Sequence, residues 1–162
     1  MRSKSTEESS PERAWLYALR LLAARDYTLA RMREKLNQKQ YSREHSEQAL
    51  SRLVSEGWID DRRYAERFAE TALASGRFYG QRLKMEMRKR GIPDELLNEV
   101  VSNALHEHDE DEEVDLALVR RFPVFLFSSA TDSEKRRVLG FLQRKGFGFS
   151  AVMQAMKRAE LK

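Results

Sequence analysis

Three stretches of this chain can be laid over one another: KLNQKQYSREHSEQAL at 35–50, EMRKRGIPDELLNEVV at 86–101 and FLQRKGFGFSAVMQAM at 141–156, offset by 51 and then 55 residues. Each carries an apolar residue (Leu36, Met87, Leu142), a base three positions on (Lys39, Arg90, Lys145), a turn position (Gln40, Gly91, Gly146) and an apolar or aromatic residue (Tyr41, Ile92, Phe147). Small or apolar pairs follow in register at Ala49–Leu50, Val100–Val101 and Ala155–Met156. A glycine in the left-handed conformation ends a helix, and a base just before it suits the negative end of the helix dipole. Pro93 is preorganised for a first helical turn, with Asp94 and Glu95 behind it where the dipole favours acids. Ser42 is the corresponding N-cap in the first stretch. The run Thr131-Asp132-Ser133-Glu134 has capping-box spacing and opens a further helix. Each stretch therefore reads helix, turn, helix, and the recurrence marks a tandem array.

Composition agrees. Among 162 residues there are 19 Leu and 16 Ala against 8 Val, 2 Ile and 4 Thr. Leu and Ala lose little side-chain freedom in a helix, whereas β-branched residues favour strands. The chain is expected to be all-α, with three tandem three-helix repeats stacked into an elongated, curved array. Helices are expected over 11–25, 28–38 and 43–56; over 61–75, 80–90 and 93–106; and over 109–121, 131–145 and 149–160. The corresponding domains are a flexible N-terminus at 1–10 and repeats at 11–57, 58–106 and 107–162, the second holding a basic segment at 77–90. The run Phe122–Phe127, interrupted by Pro123, is expected to be an irregular, buried connection. Trp15, Trp58, Tyr64 and Phe68 are assigned to the core.

Several function classes find no support. There is no cysteine, hence no disulfide framework and no thiol nucleophile. No apolar run approaches the roughly 18 residues of a membrane span, and Met1–Pro11 lacks the apolar core of a secretory signal. A cytoplasmic protein is expected. No Walker-type phosphate loop, GxSxG elbow or HExxH pair occurs, so no enzyme, no catalytic residue and no cofactor is expected. His106 and His108 lie two apart and do not converge on one helix face, so the His106–Asp111 run reads as a solvated acidic connection and no metal is expected. Asp60 and Asp61 precede the apolar pattern Tyr64, Ala65, Phe68, Ala69, where carboxylates cap a helix start.

The charge pattern says more. Net charge is only +4, yet Arg77, Arg82, Lys84, Arg88, Lys89 and Arg90 share their segment with one acid, Glu86. From His106 to Asp115 there are seven acids and no Lys or Arg. Leu83, Met87 and Tyr79 define the apolar side of the basic helix, which leaves Arg82, Lys84, Arg88 and Lys89 largely to solvent. A solvated charged face usually contains acids for i,i+4 pairing, and here Glu86 is the sole one; clustered unpaired bases are the electrostatic footprint of a polyanionic partner. A second cluster comprises Lys135, Arg136, Arg137, Arg144 and Lys145. Phe78 and Tyr79 flank the first cluster and suit either base stacking or helix packing.

The run Gly57-Trp58-Ile59-Asp60-Asp61-Arg62-Arg63-Tyr64-Ala65-Glu66-Arg67-Phe68 resembles the hallmark of the RecX family of recombination regulators. The likeness continues through Gly80-Gln81-Arg82-Leu83 and Arg88-Lys89-Arg90-Gly91-Ile92. It reaches Ala18–Ala23, Arg25–Thr28 and Glu34–Leu36 on one side and Phe141–Phe147 on the other, covering about residues 12–160. Two departures stand out: Gln40 replaces the commoner glycine, and Phe122–Phe127 has no obvious counterpart. The resemblance implies a non-enzymatic modulator, chiefly an inhibitor, that binds the RecA–single-stranded DNA filament. It would limit filament growth, ATP hydrolysis, strand exchange and co-protease activity, acting as a monomer. Gly57, Asp60, Asp61, Tyr64 and Phe68 are then structural motif residues. The family supplies no catalytic residue, so the binding surface is assigned on charge: Arg77, Arg82, Lys84, Arg88, Lys89 and Arg90 first, with Arg136, Arg137, Arg144 and Lys145 second. The alternatives are a helix-turn-helix regulator that reads duplex DNA, for which no base-reading set is evident, and an adaptor with no DNA dependence.

Overall fold

A computed structural model describes residues 9–161, and the regular structure among them is helical throughout. The helices are α1 (Pro11–Ala24), α2 (Leu29–Gln38), α3 (Arg43–Ser55), α4 (Asp61–Ala74), α5 (Gly80–Lys89), α6 (Asp94–Leu105), α7 (Glu110–Arg121), α8 (Asp132–Lys145) and α9 (Phe149–Arg158), followed by a single 3-10 turn at Ala159–Leu161. Their ends fall within two residues of those read from the sequence. Of the N-terminal stretch expected to be flexible, residues 1–8 lie outside the described residues.

Local chemistry accounts for the boundaries. The side chains of Ser10, Thr28, Ser42, Asp109 and Thr131 accept the backbone N–H three residues on, each satisfying a donor the helix leaves unpaired. Asp60 does the same for the Arg63 N–H at the start of α4. At α8 the capping box is complete, because Glu134 returns a bond to the Thr131 N–H. Pro93 stands one residue before α6 rather than inside it, and Asp94 opens the helix. Of the run read as an acidic connection, residues 106–109 do join α6 to α7, but Glu110 and Asp111 are helical together with Glu112 and Glu113. They form the first turn of α7, where the dipole stabilises negative charge.

The repeated turn is real. Gln40, Gly91 and Gly146 all have positive φ, at 68°, 84° and 114°. At Gln40 and Gly146 the N–H of the next residue reaches back to a carbonyl of the last helical turn, Tyr41 to Leu36 and Phe147 to Leu142, each at 3.3 Å. Gly57, φ 78°, ends α3 in the same way, with the Trp58 N–H on the Leu53 carbonyl at 2.9 Å.

The chain forms two compact units. One runs to Ala65 and includes Arg88–Pro93; the other comprises Glu66–Met87 and the residues from Asp94 onward. In the first, α1 and α2 pack on α3 around Ala14, Ala18, Met32, Leu36, Leu50 and Leu53, all buried. In the second, α7 and α8 pack on α9 around Val114, Leu118, Val138, Leu142, Val152 and Met156, while Leu83, Met87, Leu97 and Val101 are buried on α5 and α6.

Two core assignments are corrected. Trp58 is 51 % exposed. It follows the turn at Gly57 and its indole N–H donates to Glu56. Trp15, Tyr64 and Phe68 are half-buried, with the Arg52 guanidinium 3.6 Å from the Trp15 ring centroid. The Phe122–Phe127 run is irregular but not buried, since Val124 is 90 % exposed. Phe122, Phe125 and Phe127 are half-buried, while Pro123, Val124 and Leu126 face solvent.

Candidate functional site

The motif Gly57–Phe68 builds structure. Asp60 caps α4, but the Asp61 carboxylate accepts the Leu29 N–H at 2.9 Å and so caps α2, a helix 32 residues away in sequence. Burial pushes the Asp61 carboxyl above its ordinary range, against the stabilising bond from Leu29. Tyr64 and Phe68 follow on α4, and Phe68 stacks on Phe78 at 6.3 Å.

In the first unit the C-terminal end of α5 is held by the start of α2. Thr28 donates to the Arg90 carbonyl and Arg31 to the Lys89 carbonyl, both at 2.6 Å. Gly91 makes this approach possible: a Cβ there would lie 2.4 Å from the Ala30 Cβ. Arg88 and Lys89 are exposed and Arg90 is half-buried. Charge counting along the sequence missed Arg31, which reaches this group only through the fold and is itself paired with Glu34 at 3.2 Å.

In the second unit the stretch before α5 meets the end of α8. The Tyr79 N–H donates to the Lys145 carbonyl at 2.8 Å, Tyr79 stacks on Phe147 at 4.7 Å, and the Lys145 ammonium donates to the Gly76 carbonyl at 2.7 Å. Packing is the role these aromatics take. The bases of this unit are not equivalent. Arg82, expected to face solvent, is half-buried and forks onto Glu86 at 2.9 and 3.0 Å, with Glu86 itself buried. Lys145 is half-buried, and burial together with Arg120 pulls its pKa down. Lys84 is half-buried; Arg77, Arg136, Arg137 and Arg144 are exposed, Arg77 over the Phe78 ring and Arg137 over Phe122. Arg120 and Arg121, at the end of α7, were missed because they follow an acidic run along the chain.

At the opposite end of α7, His108 pairs with Glu113 at 2.7 Å. Burial, reinforced by Glu110, Glu113 and Asp109, pushes the pKa of the Tyr79 hydroxyl up to about 12. Among the described residues no group of three or more His, Asp or Glu is placed to hold a metal ion, and no helix is long and apolar enough to cross a membrane.

The first three-helix domain of RecX matches residues 14–53 and its second three-helix domain matches residues 60–101. The regulatory protein RecX of Trichlorobacter lovleyi is 40 % identical over 153 residues, covering 94 % of this chain and 99 % of the relative. The chain belongs to the RecX family. A second RecX, from Syntrophotalea carbinolica, is 36 % identical over 141 residues, 87 % of this chain and 92 % of its own. The crystal structure of RecX from Lactobacillus salivarius shares the fold, with a TM-score of 0.73 at 18 % identity over 94 % of this chain and 97 % of that one. RecX proteins are named as regulators, and tandem three-helix domains are their architecture.

Proposed function

We propose that this RecX protein binds, as a monomer in the cytoplasm, the filament that RecA forms on single-stranded DNA. It acts as an inhibitor, limiting filament growth, ATP hydrolysis, strand exchange and co-protease activity. Family membership supports this assignment. The structural observation that carries it is the exposed pair Arg88–Lys89 at the C-terminal end of α5. Further contact residues are Arg90 in the first unit and Arg77 and Lys84 in the second, with Arg136, Arg137 and Arg144 as a second set. Arg82, neutralised by Glu86, and Lys145, which donates to the Gly76 carbonyl, are held within the protein and are left out of this surface. Bases so placed meet acidic recombinase surfaces or DNA phosphates, and a protein lodged there obstructs the movements and DNA access that strand exchange needs. The repeats at 11–57, 58–106 and 107–162 are the proposed modules of that contact.

The experiment is ATP hydrolysis by the cognate RecA on single-stranded DNA, with this protein titrated in and filament length followed in parallel. Inhibition at substoichiometric protein with shortening filaments is the expected result; no binding and no change would sink the assignment. The double reversal Arg88→Glu, Lys89→Glu should weaken filament binding. If both bases contact phosphates, it should also lower the salt dependence by about 1.4 in log–log slope, at roughly 0.7 per single-strand contact. Unchanged affinity and slope would remove this pair from the surface.

A further inference from the structure

The second unit contains a cleft of about 360 Å³ between the end of α4, α7 and α8. Its walls are mainly apolar, with Phe141 half-buried and Leu116 54 % exposed. Arg120, Arg121 and Lys145 line one end. Arg120 and Arg121 have no carboxylate partner among the described residues. Arg121 lies over the rings of Phe122 and Phe141, at 5.4 and 5.8 Å, and the Lys145 ammonium donates to the Gly76 carbonyl and lies 5.4 Å from the Phe141 ring centroid. Three cations thus share this end with no carboxylate set against them, and burial together with Arg120 lowers the Lys145 pKa. The other end carries His108 and Glu113, and the charges of Glu110 and Asp109, outside the lining, reach Tyr79 within it.

We infer that this cleft is a docking site for an acidic peptide segment of a partner protein, one whose apolar or aromatic side chain enters between Leu116 and Phe141 while carboxylates beside it meet Arg120, Arg121 and Lys145. The polarity of the cleft selects this occupant. A nucleic-acid strand carries a phosphate at every nucleotide and would bring negative charge against the acidic end. A peptide concentrates its carboxylates at one end and leaves the other neutral. An apolar anchor with a charged flank is the usual anatomy of such contacts. The inference stands apart from filament binding, since the cleft's chemistry does not depend on which protein carries the segment.

The probe is a short fluorescein-labelled peptide in a Gly/Ser background, with one Phe followed by a run of Asp, titrated by fluorescence anisotropy against the whole protein. Saturable binding is expected. Replacing the Phe by Ser or the Asp run by Asn should weaken it at least about tenfold, the loss of an anchor or a charge contact. Arg120→Glu and Arg121→Glu, both at exposed positions, should each do the same with the helical circular dichroism unchanged. Absence of saturable binding, equal displacement by an oligothymidylate of similar length, or full affinity in both variants would overturn the proposal.

Discussion

Substituting alanine at Gly146 should damage this fold far more than the same change at Gly57, although both glycines have positive φ and both end helices. At Gly57 a Cβ meets nothing within 4 Å, so Gly57→Ala carries only the left-handed penalty of about 1 kcal/mol. At Gly91 the added methyl lies 2.4 Å from the Ala30 Cβ, adding overpacking for a total of about 2–3 kcal/mol. At Gly146 it would lie 1.8 Å from the Tyr79 carbonyl oxygen and 2.7 Å from its carbon. That neighbour is backbone, and no rotamer change relieves the clash. The end of α8 must then move off residue 79. This breaks the Tyr79 to Lys145 backbone bond, at a cost of about 1–3 kcal/mol, and loosens the Tyr79–Phe147 stack, worth about 0.5–1.5 kcal/mol. With the left-handed penalty the sum is about 4 kcal/mol, or roughly 8–16 °C in Tm for a chain of this size. Thermal melts followed at 222 nm should rank the variants Gly57→Ala, Gly91→Ala, Gly146→Ala in order of increasing loss. A Gly146→Ala melt no worse than that of Gly57→Ala would refute the close approach of α8 to residue 79.

Gln40 presents the converse case, a side chain at φ 68° where the other two repeats use glycine. Gln40→Gly relieves about 1–2 kcal/mol of left-handed strain and costs about 0.5–1 kcal/mol of chain entropy, so Tm should rise by about 2–4 °C; a fall would show that the glutamine earns its place through contacts. Asp61→Ala leaves the Leu29 N–H uncapped and should cost about 1 kcal/mol in urea unfolding, while Asp61→Asn keeps an acceptor and should cost little. Because the folded carboxyl of Asp61 titrates above its unfolded value, its contribution is fullest below about pH 3.9 and is lost as pH rises through the folded value. The Asn variant should therefore gain on wild type between acid and neutral pH, and an identical pH profile would contradict the burial. Glu47 has the opposite sign: its hydrogen bond to Arg33, 2.7 Å, holds its pKa down. Stability from that pair is present above about pH 4.3 and lost as pH falls through the lowered value. Both groups are substantially exposed, so Glu47→Gln should remove less than about 1 kcal/mol at neutral pH, and a larger loss would mean the pair is shielded from water.

By itself the sequence determined whatever depends on neighbours along the chain. Caps such as Ser42 and Thr131 act on N–H groups three residues away, and the turns at Gln40, Gly91 and Gly146 are closed by carbonyls of the preceding helical turn, so helix ends and the repeat were legible. The Arg82–Glu86 fork was also within reach, being an i,i+4 pair, yet the count of bases obscured it. Only tertiary structure decided which charges are spent internally. Lys145 is bound to a carbonyl 69 residues away, Asp61 caps a helix 32 residues away, and Arg31 joins Lys89 across 58 residues. Exposure was decided there too: Trp58 and Val124 are as apolar as their buried neighbours, and whether they meet protein or water depends on what the rest of the chain packs against them. The cleft beside Arg120, Arg121 and Lys145 belongs with these, because its cations come from two helices and its walls from three, and no local pattern brings them together.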